Sequence, residues 1–129
     1  MTSEKHILII EDDTLMQRVF ERQLRLDGYN ADVAPLSGDI KAYLKDMTVL
    51  PGLIILDIMM PKVNGLEILE FLKHDVRLKE VPVIILTNVA GREAADEALT
   101  KGASLYFVKS EHEPEEILKQ VKLLLNDQT

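Results

Sequence analysis

Three short runs of branched apolar residues govern what this chain can become. Ile7-Leu8-Ile9-Ile10, Leu53-Ile54-Ile55-Leu56 and Val83-Ile84-Ile85-Leu86 contain no polar side chain and are bounded by charged or turn-forming residues. A strand with one wet face alternates apolar and polar residues. An unbroken run belongs to a strand buried on both faces, as in a parallel sheet covered by helices. Tyr29 to Ala34 and Ser104 to Val108 are weaker strand candidates. Between the runs lie helical stripes: Met16, Phe20 and Leu24; Leu66, Leu69 and Leu72; Ile117, Val121, Leu124 and Leu125. Each stripe reads most simply as a core-facing surface. The resulting β-α alternation predicts an α/β three-layer sandwich with right-handed crossovers.

Local signals agree with that alternation. Thr14 and Gln17 have the spacing of a capping box at the start of the first helix. Ser37 is placed to cap the second. Pro114 followed by Glu115 and Glu116 marks a helix start, and Gly28 and Gly102 stand where helices should end. The stretch from Gly91 to Lys101 offers only Ala94, Ala95, Ala98 and Leu99 to a core. Burying alanines contributes little, so this helix should be the least firmly held.

The 129 residues suit a single domain, 1–129, ordered from about residue 5 to 127. A chain of this length buries roughly two-thirds of its unfolded surface, enough for a core without covalent help. The chain has no cysteine, which removes disulfides, thiolate-bound zinc and thiol catalysis. Its formal net charge of −7 argues against direct binding to nucleic acid. No apolar stretch nears the ~20 residues of a membrane span, and the polar N-terminus has no signal-peptide core, so a cytoplasmic location is expected. His6, His74 and His112 are scattered without metal-ligand spacing, and no Gly-rich phosphate loop supports direct use of ATP.

Ligands of open parallel sheets bind beyond the carboxyl ends of the strands. Glu11, Asp12 and Asp13 follow the first run, Asp57 the second, Thr87 the third, and Lys109 follows Val108. Taken singly, each has an ordinary explanation: a solvated acidic loop, helix or turn caps at Asp13, Asp57, Thr87 or Asn88, a surface lysine. Taken together, they bring acids, a hydroxyl and an ammonium to one edge.

In these residues the chain resembles, along essentially its whole length, a receiver domain of the two-component response regulators. The resemblance rests on Glu11-Asp12, on Leu56-Asp57-Ile58-Met59-Met60-Pro61, on Gly65, and on Thr87, Tyr106 and Lys109 in that order. It implies a doubly wound, flavodoxin-like five-stranded parallel sheet of order 2-1-3-4-5, which sets the first and third strands side by side. It implies Mg²⁺ (or Mn²⁺) held directly by Asp12, Asp57 and the Met59 backbone carbonyl, with Glu11 reaching the ion itself or through water, and Asp57 as the acceptor of a phosphoryl group from a phosphohistidine. Hard divalent cations prefer such oxygen donors and relieve the mutual repulsion of clustered carboxylates. Lys109 and Thr87 would stabilise charge on the transferred group. Thr87 and Tyr106 would then switch the face formed by the fourth helix, fifth strand and fifth helix. The implied partners are a sensor histidine kinase or phosphotransfer protein and a downstream protein target. The chain itself would be a monomer or a weak dimer through that face, and no conventional turnover enzyme. A receiver that fills 129 residues is expected to act through a partner.

Two positions depart from the family pattern. Asn88 stands where a small alanine is usual, and Ser110 where a proline, often with a cis peptide, is usual. A cis bond before serine would cost about 2.5–4 kcal/mol, so a trans Lys109–Ser110 bond is expected. Met59 and Val89, with Asn88, occupy positions where the family tunes its self-dephosphorylation; the two apolar side chains cannot orient a water, which predicts a long-lived phosphoryl group. The departures motivate a second reading, a receiver-like adaptor that works without phosphorylation. A haloacid-dehalogenase-type phosphatase would need a second Asp at the position of Met59, and a flavodoxin would need a hydroxyl-rich loop after the first strand.

Overall fold

The computed structural model describes residues 2–126, and side chains from residue 5 onward. The expected end of the ordered domain at residue 127 lies outside them. Five strands, β1 (Thr2–Ile10), β2 (Asn30–Val33), β3 (Leu50–Leu56), β4 (Val83–Thr87) and β5 (Leu105–Val108), form one parallel sheet in the order β2-β1-β3-β4-β5. The helices between and after them are α1 (Thr14–Leu26), α2 (Ile40–Lys45), α3 (Gly65–His74), α4 (Arg92–Thr100) and α5 (Pro114–Asn126). The fold class, the strand order and the two weaker strands are those expected from the sequence, with β2 and β5 slightly shorter than their candidate segments.

The three apolar runs explain the layering. None of their residues is more than 1% exposed. Leu8, Ile10, Ile54, Leu56, Val83 and Ile85 face a core closed by Ile40 and Leu44 of α2, Ile68, Leu69 and Leu72 of α3, and Ala98 of α4. Their sequence neighbours Ile7, Ile9, Leu53, Ile55, Ile84 and Leu86 face the other core, closed by Phe20 and Leu24 of α1 and by Ile117, Leu118, Val121 and Leu125 of α5. Alternate side chains of a strand point to opposite faces, so a strand between two helical layers must be apolar throughout. Each such side chain contributes about 1.5–3 kcal/mol on burial.

Two capping expectations are corrected. The N-cap of α1 is Asp13, the cap the sequence also allowed, whose carboxylate accepts from Leu15 N and Met16 N; Thr14 and Gln17 do not form a capping box. The N-cap of α2 is Asp39, not Ser37. Both aspartates sit directly before the helix, and an ionised carboxylate also meets the positive end of the helix dipole. Gly28 and Gly102 end α1 and α4 at positive φ, 93° and 112°, as glycines past a helix do. Arg77, in the α3–β4 connection, closes the far end of α2 by donating to the carbonyls of Leu44, Lys45 and Met47.

As expected, α4 is weakly held. Ala98 is its one buried residue, and its N-cap, Gly91, offers no side chain. Its C-terminal end is better tied: Lys101 pairs with Glu70 of α3, and the Lys73 side chain lies against Gly102. Among the described residues, no helix is long and apolar enough to cross a membrane.

Candidate functional site

Parallel strands end on one edge, and this edge collects the polar interior of the molecule. Glu11 follows β1, Asp57 follows β3, Thr87 ends β4 and Lys109 follows β5. Glu11, Asp57 and Thr87 are the buried polar or charged residues among those described. A domain that fills both cores with apolar side chains and, among the described residues, buries polar ones at this edge alone has a chemical reason for doing so.

The geometry begins with β1 beside β3. Their pairing closes with the Asp57 N–H donating to Ile10 O at 2.9 Å, which brings the two acid-bearing loops together. Carboxylate oxygens of Glu11, Asp12 and Asp57 all lie within 4.8 Å of one another; Asp12 is exposed and the other two are buried. The Lys109 ammonium is 3.0 Å from Asp57 Oδ2 and 2.6 Å from Glu11 Oε1. Lys109 donates a hydrogen bond to Asp57. It also forms a close ion pair with the buried Glu11 Oε1, an oxygen that no backbone N–H reaches. The other oxygens are held by backbone: Asp13 N donates to Glu11 Oε2 and Met59 N to Asp57 Oδ1, each at 2.9 Å. Gly65 brings the start of α3 against the loop that follows Asp57; a Cβ there would lie 2.2 Å from Ile58 Cα.

Burial chiefly, with the Asp57 charge adding to it, pushes the Glu11 carboxyl from 4.5 up to about 7, against the opposing pull of Lys109 and the Asp13 N–H. Burial alone would lower Lys109, but Glu11 and Asp57 outweigh it and raise its pKa. A site with more buried negative charge than one ammonium neutralises suits a divalent cation. The acidic cluster supplies oxygen donors for one.

The remaining site residues fall around this centre. The Thr87 hydroxyl accepts from Val89 N at 3.4 Å, and the half-buried Tyr106 donates its hydroxyl proton to Val89 O at 2.6 Å. The structure therefore joins Thr87 and Tyr106 through one residue of the β4–α4 loop, a role for Val89 that its apolar side chain did not announce. Burial, then the Asp57 charge, raises the Tyr106 pKa. The Met59 side chain is 65% exposed, and with Val89, Pro61 and Ala94 it lines an apolar groove beside the site. Asn88 is exposed and lines, with Lys109, Ser110 and His112, a polar cavity of about 440 Å³. It does not cap α4. No cis peptide occurs among the described residues, so Lys109–Ser110 is trans as expected and opens a single 3₁₀ turn.

Comparison with known proteins places this arrangement. The model of the response regulator receiver domain family matches residues 7–122. Chemotaxis protein CheY1 of Helicobacter pylori is 32% identical over 104 residues, covering 80% of this chain and 83% of that protein. The DNA-binding dual master transcriptional regulator RpaA of Synechocystis is 34% identical over 119 residues, or 92% of this chain; the chain spans 48% of that relative's length. The crystal structure of a CheY-like receiver domain protein from Methanospirillum hungatei superposes with a TM-score of 0.81 at 29% identity, over 98% of this chain and 97% of that one. With its sheet order and its edge of buried acids, the chain belongs to the response regulator receiver domain family of two-component signalling.

Proposed function

We propose that this receiver is a phosphoacceptor switch in which Asp57 takes a phosphoryl group from a phosphohistidine on a sensor histidine kinase or phosphotransfer protein. One observation carries the reading: three carboxylates within 4.8 Å, with an ammonium 3.0 Å from Asp57, on the open edge of the sheet. The all-oxygen donor set fits Mg²⁺, with Mn²⁺ as a substitute, and the buried Glu11 Oε1 is engaged by the Lys109 ammonium rather than by a backbone N–H. Asp12, Asp57, the Met59 carbonyl and Glu11 would hold the ion, which would supply positive charge against Asp57 and the transferring group.

The chain's own residues do the rest. An Asp57 carboxylate oxygen bonds to phosphorus as the phosphorus–nitrogen bond breaks, and the imidazole nitrogen leaves with the electron pair. Lys109 donates to a phosphoryl oxygen from where it now holds Asp57. Thr87, released from Val89 N, donates its hydroxyl to another. That displacement moves Val89 and with it the partner of Tyr106, so the face of α4, β5 and α5 changes shape for a downstream protein. The weak hold on α4 supports this. Met59 and Val89 offer no group to orient a water, and the phosphoryl group persists for minutes to hours. The protein acts in the cytoplasm, as a monomer or as a weak dimer through that face, and alters only itself.

The test is intact mass after incubation with Mg²⁺ and acetyl phosphate. A phosphoryl adduct absent from Asp57→Asn is expected. A folded protein that takes no adduct is a phosphorylation-independent adaptor. Steady turnover of phosphate esters would make it a phosphatase, and loss of the adduct within seconds would refute the role given to Met59 and Val89.

A further inference from the structure

The segment carrying Glu11 and Asp12 leaves the sheet just where strand hydrogen bonds run out. Ile9 O is taken by Ala34 N and Ile10 O by Asp57 N. Glu11 is one residue further on and 1% exposed, so its carbonyl has neither a strand partner nor bulk water. A buried carbonyl requires a donor. Gln17, the fourth residue of α1, supplies it: its side-chain Nε2 donates to Glu11 O, and its backbone N donates to Asp13 O at 3.0 Å. On the other side of the same turn, Glu11 Oε2 accepts from Asp13 N. The loop is thus gripped at both ends of Glu11, and the oxygen left over, Oε1, is the one facing Lys109.

We infer that Gln17 is a positioning residue for the cation site: its amide fixes the Glu11 carbonyl, so that Glu11 presents one oxygen, Oε1, beside the carboxylates of Asp12 and Asp57. The inference rests on the metal-site reading above. Partners that orient a ligand from behind typically change metal affinity 10–100-fold when removed. Gln17 has the further merit that it belongs to a rigid element, since α1 is anchored by Phe20 and Leu24 in the core.

The test is calorimetric titration of the full chain with Mg²⁺ alone, and with Mn²⁺ alone followed by water-proton relaxation. Gln17→Leu should weaken binding about tenfold or more, while the melting temperature in metal-free buffer changes little. Gln17→His at pH 8, where a neutral imidazole can donate to the same carbonyl, should recover most of the affinity. Should Gln17→Leu fail to fold, Gln17→Met makes the same comparison. Unchanged affinity in the Leu or Met variant overturns the inference alone, as does equal loss in the Leu and His variants. A wild-type chain that binds neither ion removes the metal-site reading, and the role of Gln17 with it.

Discussion

Helices α1 and α4 both begin beside the acidic edge, yet they are held very differently. Helix α1 has thirteen residues, a carboxylate cap from Asp13 and two fully buried core residues, Phe20 and Leu24. Helix α4 has nine residues, an N-cap glycine without a side chain, and Ala98 alone in the core. Under the proposed function the difference divides the work. A site that binds a small ion needs a rigid wall, and α1 holds the loop of Glu11 and Asp12. A site that reports its occupancy needs a wall that can move, and the start of α4, next to Val89, is poorly tied. Elements drawn from the low-stability end of a fold are those that move in signalling.

This comparison can be broken by mutation. Phe20→Ala should cost about 3–5 kcal/mol, as large-to-small changes in packed cores do, whereas Ala98→Gly should cost about 1 kcal/mol. Urea denaturation measures both, and equal losses would erase the contrast. The rigid wall also carries charge strain. The Glu11 carboxyl titrates at about 7 in the folded chain against 4.5 when unperturbed, so the native state holds the extra proton between those values. Stability of the metal-free protein should therefore fall as pH rises from 4.5 to 7, by on the order of 1–3 kcal/mol. Glu11→Gln should flatten that slope.

Smaller effects sharpen the picture. Asp13→Ala removes a cap bonded to two N–H groups and should cost about 0.5–2 kcal/mol. Helix α4 has no comparable cap to lose. Hydrogen exchange should release the amides of α4 before those of α1, and reversed protection would contradict the assignment of the mobile wall. Lys101→Gln, which loosens the tied end of α4 from Glu70, should leave global stability almost unchanged, because exposed ion pairs contribute little. Its effect should appear as faster exchange in the last turn of α4 rather than as a lower melting temperature.

Much of this was legible in the sequence because burial and periodicity are local properties. Unbroken runs such as Ile7 to Ile10 have one good solution, a strand between two helical layers, and the charged residues that follow them must then share an edge. The alanines of α4 announced its weak hold for the same reason: side-chain size is written in the chain. Caps were less legible. The sequence allowed both Thr14 and Asp13 before α1 and suggested Ser37 before α2, but Asp13 and Asp39 took the positions because a cap depends on where the backbone first turns helical. Spacing suggested a capping box for Gln17, yet its amide crosses to Glu11 O. That partner exists only because β1 runs out of sheet bonds there.

The chain by itself thus determined the layers, the strand composition and the set of groups on one edge, since these follow from residue size, polarity and order. Tertiary structure decided the distances. Only the placement of β1 beside β3 set Glu11, Asp12 and Asp57 within 4.8 Å of one another. Only the packing of β5 on β4 brought Lys109 between two acids and hung Tyr106 on the Val89 carbonyl. Such contacts join residues tens of positions apart. Their geometry comes from how whole elements pack, which no local pattern records.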